Sequence, residues 1–361
     1  AAGVIREDLQ QVGSGAGRSF SATPGTIDEQ GVYLSGATAW YPHPEGKLVT
    51  FSMSVTLPAG WDAVSQGTRL SKEAAPDGTT VHWECTIPQE EIFLVAARFH
   101  EYTRATPLLE AQVFLREEDS NLAARYLEAT IQYVDMYTQL LGPYPYSKFA
   151  LVENFWESGY GMPSFTLLGP QVIRLPFIIR SSYPHEVLHN WWGNSVYVDY
   201  QTGNWCEGLT AYLADHLMKE GEGRGAEYRR DVLKKFGSYV QEGLDFPLSE
   251  FRSRHSGATE AVGYGKCLML WHMIRQSVGD EAFKKGLQAF YSDFLHRRAS
   301  FGDIVKSIGE AAGADLSGWT GSWIEGTGAP EFRLAVEPGE EMSKITIEQV
   351  QGQEPYLVRV P

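Results

Sequence analysis

The chain has 361 residues, is 43% hydrophobic and 21% charged, and carries a formal net charge of −15 at pH 7. This length and composition indicate a globular protein of two or three domains, and the negative charge argues against nucleic acid and anionic membranes as partners because both would be repelled. No segment approaches the roughly 18 consecutive apolar residues that a membrane-spanning helix needs.

The first part of the chain carries the alternation of polar and apolar residues that is typical of strands. It is clearest over residues 50–57 and 80–87, and a turn signal at Pro76-Asp77-Gly78 precedes the second run. We therefore predict a β-rich amino-terminal domain over residues 1–105, with a half-buried antiparallel sheet.

Helical periodicity begins near residue 119, where apolar side chains recur in steps of three and four until Gly142-Pro143 ends the run. A short strand is predicted at 149–152. Further helices are predicted at 183–194, 206–220, 225–241, 264–277, 280–296 and 301–312.

Strand patterns return at 332–336 and 345–347, after a Gly- and Pro-containing turn. The elements together predict a multidomain α+β chain: a β-rich domain over 1–105, a mainly helical domain over 106–327, and the beginning of a carboxy-terminal β domain over 328–361. We expect the full-length protein to continue into that third domain.

Three widely spaced cysteines, Cys85, Cys206 and Cys267, argue against a disulfide framework and fit no cysteine-based zinc site. Unpaired cysteines permit a cytoplasmic protein, whereas the small-residue start Ala1-Ala2-Gly3 is compatible with an exported, processed one. The compartment therefore stays open.

The segment His185-Glu186-Val187-Leu188-His189 has the spacing of a metal site on a helix. Residues four apart on an α-helix lie about 40° apart around the axis and about 6 Å apart along it. Two imidazoles so placed can bind one zinc ion, and Glu186 can reach a water on that ion. Two incidental histidines on one helix face are the alternative interpretation.

A third ligand decides between these interpretations. Glu207 stands 18 residues beyond His189, at the predicted start of another helix. Three protein ligands with an open fourth position are typical of a catalytic zinc site. We therefore predict one Zn²⁺ ion held by His185, His189 and Glu207, with Glu186 as the catalytic base.

The motif and its surroundings resemble the gluzincin aminopeptidases, the family of aminopeptidase N and the leukotriene hydrolase. The resemblance rests on His185-Glu186-x-x-His189-x-Trp191-Trp192-Gly193-Asn194 followed by Trp205-x-Glu207-Gly208. It extends over most of the chain and implies a thermolysin-like catalytic domain between the β-rich front part and a β-sandwich domain.

The resemblance also points to Tyr264. Family members carry a tyrosine in a Tyr-x-Lys setting at the start of a helix downstream of the third ligand, and Tyr264-Gly265-Lys266 matches it. This implies that the Tyr264 hydroxyl donates a hydrogen bond to the oxyanion, because a phenol stays protonated at neutral pH. A core tyrosine with a satisfied hydroxyl is the alternative.

The chain departs from the family at the substrate-facing edge strand, which usually reads Gly-x-Met-Glu-Asn some two dozen residues before the first zinc ligand. Gly161 and Met162 lie in the corresponding stretch, but Pro163 and Ser164 stand where Glu and Asn are expected. In the family that glutamate binds the free α-amine of the substrate, and neither replacement supplies an anionic acceptor.

Two nearby carboxylates, Glu153 and Glu157, could reach a substrate amine, although a structural or solvated role fits each equally well. Pro163 is also expected to remove a backbone donor from the strand that pairs with substrate. We count Gly161, Met162, Pro163, Ser164 and Glu157 as the candidate substrate contacts.

The sequence therefore predicts a zinc peptidase that hydrolyses peptide bonds with a metal-activated water, as an aminopeptidase-like exopeptidase. A preference for internal bonds or blocked termini is a second hypothesis, because the amine-binding glutamate is replaced. A zinc-stabilised peptide-binding scaffold without turnover is a third, against which Glu186 and Tyr264 argue.

Overall fold

A computed structural model describes residue 5 and residues 8–15, 18–44, 46–241, 243–339, 342–350 and 356–358. The outer ends of the predicted first and third domains, residues 1–4 and 359–361, lie outside these ranges. The chain divides into two compact units, one of Ala1–Tyr197, Leu213–Met218 and Phe294–Arg297, the other of Val198–Tyr212, Lys219–Asp293 and Arg298–Pro361. The three-domain division stays a prediction.

Most strands lie in the first unit. The strands are β1 Gln10–Gly15, β2 Arg18–Ala22, β3 Gly25–Ile27, β4 Val32–Leu34, β5 Val49–Leu57, β6 Asp62–Val64, β7 Thr68–Ala75, β8 Gly78–Gln89, β9 Leu94–Ala97, β10 His100–Ala105, β11 Glu110–Leu115, β12 Lys148–Glu153, β13 Gly159–Met162, β14 Phe165–Leu168, β15 Tyr197–Val198, β16 Arg298–Ala299, β17 Phe332–Glu337 and β18 Lys344–Gln349.

Most helices follow the strand-rich part of the chain. They are α1 Ser120–Leu141, α2 Ser182–Leu188, α3 Cys206–Ala211, α4 Leu217–Gly221, α5 Gly225–Tyr239, α6 Gly257–Glu260, α7 Cys267–Val278, α8 Asp280–Phe294 and α9 Phe301–Ala312. Two π-helical turns make longer continuous helices: Tyr212–His216 joins α3 to α4, and Ala261–Lys266 joins α6 to α7.

The first unit contains three larger sheets. β5, β8 and β7 form one with the strand order β5-β8-β7, and a second has the order β3-β4-β9-β6. β5 alternates half-buried and exposed residues along most of its length, as predicted. Buried aromatic side chains such as Trp83, Phe114 and Phe165 belong to one hydrophobic cluster, which joins residues of all three sheets.

The third sheet has the order β10-β11-β12-β14-β13, with β11, β12 and β14 parallel and the two outer strands antiparallel to their neighbours. Helices α1 and α2 lie in the same unit as this sheet. The Asp119 side chain caps the start of α1 by accepting a hydrogen bond from Leu122 N at 2.8 Å. This sheet presents β13 as an edge strand.

In the second unit, β17 and β18 form a two-stranded ribbon with an exposed apolar face. Leu334 lies opposite Ile347 and Val336 opposite Ile345, so these side chains share one face. Leu334 and Ile345 are each 62% exposed. The β domain over residues 328–361 stays a prediction.

The predicted α+β fold class is confirmed. Within the described ranges, none of the helices combines the length and the apolar character that crossing a bilayer requires.

Candidate metal centre

The histidine motif lies at the carboxy-terminal end of α2. His185 and Glu186 are in its last turn, and His189 follows at the helix end in α-helical conformation, with its N–H donating to His185 O at 3.2 Å. The prediction that this helix continues to residue 194 is wrong. The chain turns at Gly193, whose φ is +95°, and Asn194 N donates back to His189 O at 3.1 Å.

Both imidazoles lie close together, with ring centroids 4.8 Å apart. One ligand atom from each of His185, His189 and Glu207 lies within 4.8 Å of the other two, and all three side chains are half-buried. Ligands of a tetrahedral zinc ion lie about 3.3–3.5 Å apart. Two imidazoles and one carboxylate at this spacing therefore fit a zinc ion after small side-chain adjustments.

Each imidazole has an oxygen partner at its other nitrogen. Nδ1 of His185 lies 3.1 Å from Oδ2 of Asp215, and Nδ1 of His189 lies 3.1 Å from the Trp192 carbonyl oxygen. An acceptor at Nδ1 holds the proton there and makes Nε2 the ligand nitrogen. Asp215 lies in the π-helical turn Tyr212–His216.

Asp215 was not among the predicted site residues, and its contact leads to a prediction. Asp215→Asn should raise the zinc dissociation constant about 10- to 100-fold, because the amide cannot act as an anionic acceptor for His185 Nδ1–H. Competition with a chromophoric chelator measures this constant. The control is Asp231→Asn, which makes the same change at an exposed carboxylate near Lys234. Equal zinc affinity of the two variants would contradict a role of Asp215 in supporting His185.

The helix that begins with α3 approaches the Tyr264 segment closely at Gly208. A Cβ atom added at Gly208 would meet Cys267 Sγ at 2.3 Å and the Gly263 carbonyl oxygen at 2.9 Å. Only a glycine therefore permits this approach. The residue after Glu207 thus packs against the neighbour of Tyr264.

Tyr264 lies in the π-helical turn Ala261–Lys266 and is half-buried. The prediction that it begins a helix is wrong, because α6 already begins at Gly257, after a capping box formed by Ser256 and Thr259. The Tyr264 ring packs edge-on to Phe251, with centroids 6.1 Å apart. π-helical turns inside α-helices are frequent at functional sites.

Gly161 brings the edge strand β13 against the helix motif. A Cβ atom added there would lie 2.6 Å from Glu186 Oε2 and 3.1 Å from His189 Cδ2. The backbone of β13 therefore lies directly beside the carboxylate and one ring of the motif. An edge strand is also a template on which an extended peptide can pair.

The next residues leave the strand. Met162 is buried at the end of β13, and Pro163 and Ser164 form the two-residue connection to β14. The expected loss of a donor from the strand is therefore wrong, because Pro163 lies beyond it. Ser164 is fully buried with a φ of +64°, so its side chain is not a surface group for substrate.

The two candidate carboxylates have other partners. Glu153 is 3% exposed, accepts a hydrogen bond from Arg116 N at 2.8 Å and pairs with Arg174 Nη1 at 2.5 Å. Oε1 of Glu157 accepts a hydrogen bond from Gln171 N at 2.9 Å. Glu153 therefore has a structural role, because its carboxylate is already bonded to Arg116 and Arg174.

Residues 179–323 match the family model described as the peptidase family M1 domain. Over this segment the chain is similar to M1 peptidases. The resemblance to the gluzincin aminopeptidases is thereby confirmed, and the predicted zinc cofactor agrees with the family.

The curated proteins that match the chain include several aminopeptidases. The alanine/arginine aminopeptidase of Saccharomyces cerevisiae is 27% identical over 256 residues, which are 64% of this chain and 28% of the yeast protein. Aminopeptidase N of Lactococcus lactis is 24% identical over 316 residues, 80% of this chain and 37% of that protein. The chain thus spans about a third of the length of these relatives.

A solved structure shares the fold. The M1 zinc metallopeptidase of Deinococcus radiodurans superposes with a TM-score of 0.71 at 19% identity, over 84% of this chain and 71% of the other.

Proposed function

We propose that this chain hydrolyses peptide bonds as a zinc-dependent M1 peptidase. The observation that carries the proposal is the convergence of His185, His189 and Glu207 on one point, with Glu186 beside the first ligand. A zinc ion held there supplies Lewis-acid polarisation of a carbonyl and of a water.

Residues of the chain itself transfer the proton, align the substrate and stabilise the oxyanion. Glu186 accepts the proton of the attacking water and delivers it to the leaving amine. β13 aligns an extended substrate beside this carboxylate, since Gly161 lies directly against it. The Tyr264 hydroxyl donates a hydrogen bond to the oxyanion, and the loss of one such donor typically costs about 3 kcal/mol in the transition state.

The first experiment is removal and return of the metal. The purified chain is assayed with a peptide library, then with 1,10-phenanthroline, then after dialysis into zinc. We expect cleavage to stop on chelation and to return with about one zinc ion per chain. Bound zinc without cleavage of any peptide would favour the scaffold hypothesis, and cleavage that resists complete zinc removal would refute the proposal.

Two specificities fit this site. The relatives suggest an exopeptidase that needs a free amino terminus. The second candidate, a preference for internal bonds or blocked termini, is favoured by the buried Ser164 and by the ion pair of Glu153, which provide no amine acceptor. Matched peptides with a free and an acetylated terminus separate the two: aminopeptidase specificity requires at least a hundredfold preference for the free amine, and equal rates would reject it.

A further inference from the structure

Behind the Pro163–Ser164 connection lies a buried lysine that the mechanism does not use. Lys148, the first residue of β12, is 3% exposed. Its ammonium donates three hydrogen bonds, to Ser65 O at 2.9 Å, Ser164 O at 3.0 Å and Ser164 Oγ at 2.9 Å. Each of its three N–H groups is thus directed at a neutral oxygen.

Within the part of the chain that the structure describes, no carboxylate accepts a hydrogen bond from this ammonium. The rings of Trp83 and Phe165 lie 5.1 and 5.2 Å from Nζ, which is cation–π distance. Burial lowers the pKa of Lys148 to about 7, and the more distant charges of Arg69 and Glu110 act in opposite directions. A buried cation without a directly bonded counter-ion is costly for the fold, which indicates that its contacts serve another purpose.

The hydrogen bonds of Ser164 lead from Lys148 to the metal-ligand motif. Ser164 N donates to Asn190 Oδ1 at 2.8 Å, and Asn190 is the residue after His189. Asn190 is itself fixed, since its Nδ2 donates to Val187 O at 2.9 Å. Gly67 N donates to Ser164 Oγ at 3.1 Å. The serine, at its unfavourable positive φ, is therefore held from three sides.

We infer that Lys148 is a positioning residue: its ammonium fixes the Pro163–Ser164 turn, and thereby sets the position of β13 beside Glu186. The turn is two residues long, Met162 pairs with Phe165 across it, and Gly161 is the next residue toward the carboxylate. A shift of the turn is therefore transmitted to the strand within two residues. The inference rests on the proposed peptidase function.

The test combines kinetics with amide hydrogen exchange on the full chain. Lys148→Met keeps an unbranched side chain that is one atom shorter and removes the charge and the donors. We expect exchange in 159–168 to accelerate at least tenfold and KM for peptides to rise at least tenfold, with kcat changed less than threefold, because β13 would bind substrate and transition state alike. Zinc content should stay at the wild-type value.

The control is Ser158→Ala, which removes a buried hydroxyl at the opposite end of the same hairpin, where it donates to Leu167 O at 3.2 Å. This variant should leave exchange at 161–165 and KM unchanged. A double-mutant cycle with Ser164→Gly adds a test of coupling, because Lys148→Met should raise KM less than twofold once the turn is already released.

If Lys148→Met leaves amide hydrogen exchange in residues 159–168 unchanged, the inference is overturned, whether or not the chain cleaves peptides. If the wild-type chain cleaves no peptide, only the proposed function is rejected. A fall in kcat proportional to lost zinc or lost folded protein, at unchanged KM, would show a merely structural role. If Lys148→Met does not fold, Lys148→Arg takes its place, because it keeps the charge but displaces the hydrogen-bond donors. A raised KM of Lys148→Arg supports the inference, and a wild-type KM overturns it.

Discussion

Replacing Glu186 by glutamine is expected to lower kcat about a thousandfold while zinc binding is retained. The amide has the size of the carboxylate but cannot accept a proton at neutral pH, and a positioned general base contributes about 10²- to 10⁴-fold. The three ligand side chains are left intact, so the metal should remain. Steady-state kinetics and metal analysis of the same protein sample measure both quantities.

The matched control is Glu310→Gln, which makes the same chemical change at a carboxylate that is 69% exposed on α9. It should keep wild-type kcat. Full activity of Glu186→Gln would refute the assigned base, and a variant that loses zinc would show that Glu186 supports the metal site rather than the proton transfer.

Helix α1, whose start and end signals are local in the sequence, lies where it was predicted. α1 begins within two residues of the expected position because Asp119 caps it and ends at Gly142, both visible in the sequence. The two predicted histidine ligands, His185 and His189, keep their four-residue helical spacing at the end of α2, although that helix is shorter than expected.

The missed residues depend on geometry that α-helical periodicity does not contain. Asp215 stands eight residues after Glu207, and at 100° per residue this would rotate it about 80° away from the face of Glu207. The wider π-helical turn Tyr212–His216 reduces the rotation per residue. Similarly, Tyr264 lies in the π-helical turn Ala261–Lys266 within a longer helix and not at the helix start that was predicted.

Other contacts join residues that are far apart in sequence. Lys148 meets Ser65, which is 83 residues away, and Ser164, and no spacing rule connects these positions. Glu153 looked available for a substrate amine because the sequence does not show Arg174 beside it. Tertiary structure alone decides which buried charges have partners.

Gly161→Ala is expected to lower kcat about a hundredfold without loss of folding or zinc. Its Cβ would lie 2.6 Å from Glu186 Oε2, so the carboxylate must move by an appreciable fraction of an ångström, and displacement of a reacting group by about 1 Å can cost 10²-fold in rate. The contact with His189 Cδ2, at 3.1 Å, needs an adjustment of only tenths of an ångström. Kinetics, thermal unfolding and zinc analysis measure the three properties.

Gly237→Ala is the matched control, since nothing lies within 4 Å of the Cβ it would add on α5; it should keep wild-type kcat and unfold at the same or a slightly higher temperature. The decisive comparison uses Glu186→Gln as the background. If Gly161 acts through the catalytic carboxylate, adding Gly161→Ala there should reduce the residual rate less than threefold. A further hundredfold loss of the residual rate would mean that Gly161 acts on substrate binding by β13 and not on the base. The close approach of this strand to Glu186 would then have no catalytic role.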